Sequence, residues 1–125
     1  TPDAVHTIQR FLGLFPAEDH ESVRVRLAES LKATVSLRLL PTTEGQGRVP
    51  AVEVMRVTRT IQECVRNIEK LGEINHHIAQ GKDLYGMQTF DQHLLELFHD
   101  KKINFEVAKM AASNPEEFQR ALTIE

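Results

Sequence analysis

The chain has 125 residues, a formal net charge of −3, 41% hydrophobic and 26% charged residues, enough for one domain with a buried core. Its 15 Lys and Arg are scattered, so no basic field marks it for nucleic acid or an anionic membrane. Cys64 is the lone cysteine, which excludes an internal disulfide and fits a reducing compartment.

Taken in order, the chain is read first as helix. Thr1 can cap a helix that begins at Pro2, with Asp3 in its first turn. Val5, Ile8, Phe11 and Leu12 form its apolar stripe before "GLFP" stops it. Pro16 opens the longest expected helix, over 17–40, in which Val23, Leu27, Leu31 and Val35 recur every four residues. Pro41 ends it, and "TTEGQGR" makes a glycine-bearing turn. "VPAVEVMRV" is β-branched and reads as a strand, with "LRLL" as the partner that would make a hairpin.

The second half reads as short capped helices. Thr60 with Glu63 has capping-box spacing, and Ile61, Cys64, Val65, Ile68 and Leu71 would be buried behind it. A short helix over 73–81 closes on Gly81. Thr89 and Gln92 repeat the box spacing ahead of Phe90, Leu94, Leu97 and Phe98. A further helix starts near Asn104, and Ser113 with Glu116 gives the box a third time. No run approaches the roughly 18 apolar residues of a membrane span.

Chemistry is harder to find. No G-x-x-x-x-G-K-[ST] occurs, so the chain by itself is not expected to cradle a triphosphate. The six histidines are dispersed and form no H-E-x-x-H, and each reads as a structural or surface residue. Cys64 lies on an apolar stripe, and Ser30, Ser36 and Ser113 lack a nucleophile context. Arg24, Arg26 and Arg38 are the cations of most interest. On one long helix, Arg24 and Arg38 would project similarly.

Three blocks occur together: "LFPAEDHESVRVRLAESLKATVSLRLLP", "GRVPAVEVM" and "GMQTFDQHLLELFHDKKINFEVAKMAASNPEEF". In this order and spacing they resemble the C-terminal part of the secretion ATPase superfamily, nearest to the retraction ATPases of type IV pili. "TIQECVRNIEK" stands where that family carries an Ala-Ile-Arg-x-Leu-Ile-Arg-Glu-like helix. Arg66 matches there, and Gln62 replaces the first arginine.

The resemblance implies a mainly α fold with a small β-hairpin. Residues 1–58 would be the end of a RecA-like α/β P-loop ATPase core, and residues 59–125 a helical C-terminal subdomain. It implies a piece of a longer motor whose Walker segments precede Thr1. ATP and magnesium are implied for the full-length protein, and no cofactor for this segment. The implied partners are five further copies in a homo-hexamer and an inner-membrane platform protein of a pilus or type II secretion machine, in the cytoplasm at the inner membrane. Arg24, Arg38, Arg66, Met87, Thr89, Phe90 and Asp91 are the candidate structural or subunit-contact residues. The isolated chain is expected to be a monomer or weak dimer, with Leu12, Leu14 and Phe15 as an apolar patch. A free-standing helical adaptor that binds a protein partner is the alternative reading.

Overall fold

The computed structural model describes residues 3–124. Its elements are α1 (Ala4–Leu12), a 3-10 turn (Ala17–Asp19), α2 (His20–Ser30), β1 (Ala33–Pro41), β2 (Arg48–Arg56) and α3 (Arg59–Arg66). A 3-10 helix (Ile68–Glu73), α4 (Ile74–Gln80), α5 (Lys82–Tyr85), α6 (Phe90–His99), α7 (Phe105–Ala111) and α8 (Pro115–Ile124) follow. The chain is mostly helical with one two-stranded antiparallel hairpin, the class expected from its sequence.

The helix expected over 17–40 is cut short. Its helical part ends at Ser30, Leu31 is extended, and 33–41 form β1. A spacing of four residues is a multiple of the strand period, so the Leu27, Leu31, Val35 and Leu39 recurrence fits either element. The strand wins because β2 offers a partner for all nine residues, from Ala33↔Arg56 to Pro41↔Arg48. Gly45 and Gly47, both at positive φ, turn the chain between the strands.

Several caps move by a residue or more. Asp3 caps α1, accepting from the His6 amide at 2.9 Å, and the expected Thr1 and Pro2 lie outside the described residues. Thr58, not Thr60, caps α3 by accepting from the Ile61 amide. Asn114, not Ser113, accepts from the Glu117 amide at the start of α8. Thr89 caps α6 and Gly81 ends α4 as expected, and α7 starts where expected, with Asn104 as its cap.

Two apolar cores flank the hairpin. The first gathers Ile8, Leu12, Ala28, Met55, Ile61, Cys64, Val65, Leu71, Ile74 and Ile78 from α1 to α4 and β2. The second gathers Leu40, Ala51, Phe90, Leu94, Leu97, Ile103, Ala108 and Phe118 from the hairpin and α6 to α8. Ile68, expected in the first, is 60% exposed. Leu12 is buried, whereas Leu14 and Phe15 of the expected patch are exposed.

Candidate functional site

One face of the hairpin joins the two cores. Alternation sends Thr34, Ser36, Arg38 and Leu40 of β1 inward, opposite Met55, Glu53, Ala51 and Val49 of β2. Met55 serves the first core and Leu40 with Ala51 the second, so polar Ser36, Arg38 and Glu53 occupy the seam.

Glu53 is 2% exposed, and its Oε1 accepts from the Ala4 amide at 2.9 Å, across 49 residues. A carboxylate there meets the positive end of α1. Burial pushes its pKa up, the Ala4 amide draws it back, and neighbouring Asp3 adds to the rise. Arg38 lies on the second side of the seam. Its guanidinium sits 3.9 Å above the Phe90 ring, and Nη1 donates to the Ala111 carbonyl at 2.9 Å.

The outer edge of β2 would be bare without help from the next segment. Val54 exchanges two backbone bonds with Gln88, at 2.9 and 3.1 Å. The Gln88 side chain donates to the Val52 carbonyl at 2.7 Å, and the Val52 amide donates to Nδ1 of His93 at 2.8 Å. Two side chains and one residue's backbone thus stand in for a third strand. Burial holds the His93 pKa below its ordinary value, which keeps Nδ1 free to accept.

Thr89 starts α6 with a complete capping box. Its hydroxyl accepts from the Gln92 amide, its own amide donates to Gln92 Oε1, and Gln92 Nε2 donates to the Ala79 carbonyl of α4. Met87 is buried against Gly81, where an added Cβ would lie 2.3 Å from the methionine methyl. Asp91 reaches the turn before α8, accepting from the amides of Ser113 at 2.8 Å and Asn114 at 3.2 Å.

The structure therefore brings Arg38, Met87, Thr89, Phe90 and Asp91 to one junction between hairpin, α4, α6 and α8. Arg24 and Arg66 lie elsewhere. Arg66 pairs with Glu63 at 3.0 Å and more loosely with Glu29, both at the surface. Arg24 and Arg38 do not share a helix face, because Arg38 belongs to β1.

Sequence reasoning missed Glu53 and Gln88, and read His93 as a structural or surface residue without its strand partner. Glu53 and His93 carried a signal. Glu53 alternates with Ala51 and Met55, which places it on the buried face of a strand. His93 falls on the Phe90, Leu94, Leu97 stripe of α6. Gln88 had none, since its bonds depend on which strand edge it meets. Among the described residues no group of three or more His, Cys, Asp or Glu could hold a metal ion.

Comparison with known proteins gives that junction a context. No family model matches the chain. A twitching motility protein of Neisseria gonorrhoeae is 37% identical over 116 residues, which are 93% of this chain and 30% of that protein. The type IV pilus retraction ATPase PilT of Pseudomonas aeruginosa is 38% identical over 118 residues, 94% of this chain and 33% of that one. The crystal structure of the pilus retraction motor PilT with bound ADP superposes with a TM-score of 0.79 at 32% identity, covering 96% of this chain and 32% of that one. The chain thus spans about a third of the length of the relatives it matches.

Proposed function

From a chain homologous to the C-terminal portion of the type IV pilus ATPases, we propose a role as the force-transmitting end of an ATP-driven motor subunit. The observation that carries this reading is the match over 96% of the chain to a retraction motor. In this reading residues 1–58 complete the ATPase core and residues 59–125 form the helical subdomain that follows it. The full-length protein hydrolyses ATP with magnesium, assembles as a hexamer at the inner membrane and acts on the platform of a pilus or type II secretion machine.

A feature of the hairpin supports a place within a larger core. Val35, Leu37 and Leu39 of β1 are 66%, 48% and 54% exposed. They stand opposite Val54, Val52 and Pro50, so the middle of the outward face is apolar, with Arg48 and Arg56 at its two ends. Among the described residues the second edge of β1 pairs with no strand. An open, apolar strand edge is a liability in an isolated domain and ordinary in an edge awaiting the rest of a sheet.

The test is a chimera in which residues 1–125 replace the corresponding segment of Pseudomonas aeruginosa PilT. It is expected to form hexamers and release phosphate from ATP in a magnesium-dependent manner, while the isolated chain does neither. A chimera that folds, by circular dichroism and melting, yet neither assembles nor hydrolyses ATP would overturn the reading.

A further inference from the structure

The three arginines that stand out in the sequence have different fates, and the difference points to a binding site. Arg38 is engaged by a ring and a carbonyl, and the Arg66 Nη atoms by two carboxylates, although the Arg66 Nε, like that of Arg24, is buried without an acceptor. Arg24 takes part in no hydrogen bond or ion pair among the described residues, although its Nε is buried from solvent. A buried guanidinium N–H without an acceptor is costly and uncommon.

Arg24 lines a cleft of about 350 Å³ between α1, α2 and the 3-10 helix over 68–73. Val5, Leu12, Ile68 and Leu71 give it apolar walls, and Gln9 and His20 complete its polar side. Among the described residues the lining contains no carboxylate. His20 is already committed, its Nε2 lying 2.9 Å from the Phe15 carbonyl. Gly72, exposed, also lines the cleft, with no atom within 4 Å of where a Cβ would stand. Ile68, 60% exposed, presents an aliphatic side chain at the cleft in place of the core position its sequence spacing suggested.

We infer that this cleft binds a segment of a partner protein that presents one carboxylate side chain beside an apolar one. Charge complementarity sets the sign, because the cation faces no acidic neighbour among the described residues of the cleft. One guanidinium matches one carboxylate in a forked pair. A phosphate group, with nearly twice the charge, is served by clusters of cations, and among the described residues of the lining Arg24 is the sole Arg or Lys. The four aliphatic walls favour a peptide segment over a free small anion, which would leave them wet. This inference stands apart from the motor reading, since it rests on the cleft alone.

The probe is a terminally blocked heptapeptide, Leu-Ser-Leu-Glu-Phe-Ser-Leu, compared with the same peptide carrying Gln at the centre. Binding to the 125-residue chain is read from the Arg24 Nε–H resonance and the Gly13 and Gly72 amides in a ¹⁵N-labelled sample. The Glu peptide is expected to shift all three, and the Gln peptide to bind roughly tenfold or more weakly. Arg24→Gln should abolish the preference for Glu while melting like the parent chain, and Arg24→Lys should retain part of it. Should Arg24→Gln unfold, Ile68→Ser supplies the second variant, expected to weaken the Glu peptide and leave the fold intact. Absence of shifts, equal binding of both peptides, or equal shifts with inorganic phosphate would overturn the inference. Concentration-dependent self-association that Arg24→Gln removes would make a second copy the occupant, and would overturn it too.

Discussion

The Arg38 guanidinium lies 3.9 Å above the centre of the Phe90 ring, and so ties the first strand of the hairpin to the first turn of α6. The same side chain donates to the Ala111 carbonyl, 73 residues away, at the end of α7. One side chain thereby fixes the hairpin against two helices of the second core. Arg38→Ala should destabilise the chain by about 2–3 kcal/mol, combining a charged hydrogen bond with a cation–π contact. Arg38→Lys should recover less than half of this, because an ammonium cannot stack flat while reaching the carbonyl. Urea melts of the three proteins check both expectations.

Thr89 should be worth about 0.5–2 kcal/mol as the cap of α6, the usual range for a threonine N-cap. Thr89→Ala removes the acceptor of the Gln92 amide, and Thr89→Ser should restore most of the loss. Equal urea midpoints for Thr89→Ala and the parent would show that the helix start is held by Met87 and Phe90 packing alone.

Gly86 sits at φ +68, where it ends α5 and aims Met87 and Gln88 at β2. Nothing lies within 4 Å of an added Cβ, so the cost of Gly86→Ala is purely one of backbone conformation. About 1 kcal/mol is expected. Gly86→Asn should cost less, since asparagine tolerates this region. Thermal melts of the pair distinguish conformational strain from a steric clash, which would make the asparagine variant the worse of the two.

The link between β2 and α6 should weaken in acid. His93 is held below its ordinary value of 6.5 by burial, with Lys82 and Lys102 acting in the same direction and Glu96 opposing them. The unfolded chain therefore binds this proton more readily than the folded one, and the slope of stability with pH is positive in that window. The contribution is complete above about 6.5 and is lost as the pH falls through the lower folded value. A protonated Nδ1 can no longer accept from the Val52 amide. His93→Gln keeps an acceptor and removes the titration, so its melting temperature should change less between pH 8 and pH 5 than that of the parent. Glu53, whose pKa is raised, contributes with the opposite sign, as stability lost when the pH rises through its folded value. Glu53→Gln isolates that part.

The capped helices of the second half were legible in the sequence because capping and period are local. Thr89 with Gln92, Asn104 and Gly81 each satisfy helix-end groups within a few residues, so their spacing alone specifies α4, α6 and α7. The stripe of Phe90, Leu94 and Leu97 was fixed the same way. The order of the three blocks also sufficed to identify the relatives. What the sequence left open was decided by contacts between distant residues. Leu31 to Leu39 carry a pattern that suits helix and strand alike, and only the nine-residue pairing with β2 settles it as strand. Arg38 moved with that choice, from the expected helix face it shared with Arg24 to a seam against Phe90 and Ala111. Glu53 and Gln88 gained their partners from Ala4, Val52 and Val54, none of which is near enough in sequence to announce itself. A buried backbone amide or carbonyl must be paired somewhere, and at these places the partner is chosen by tertiary packing, to which no local spacing gives access.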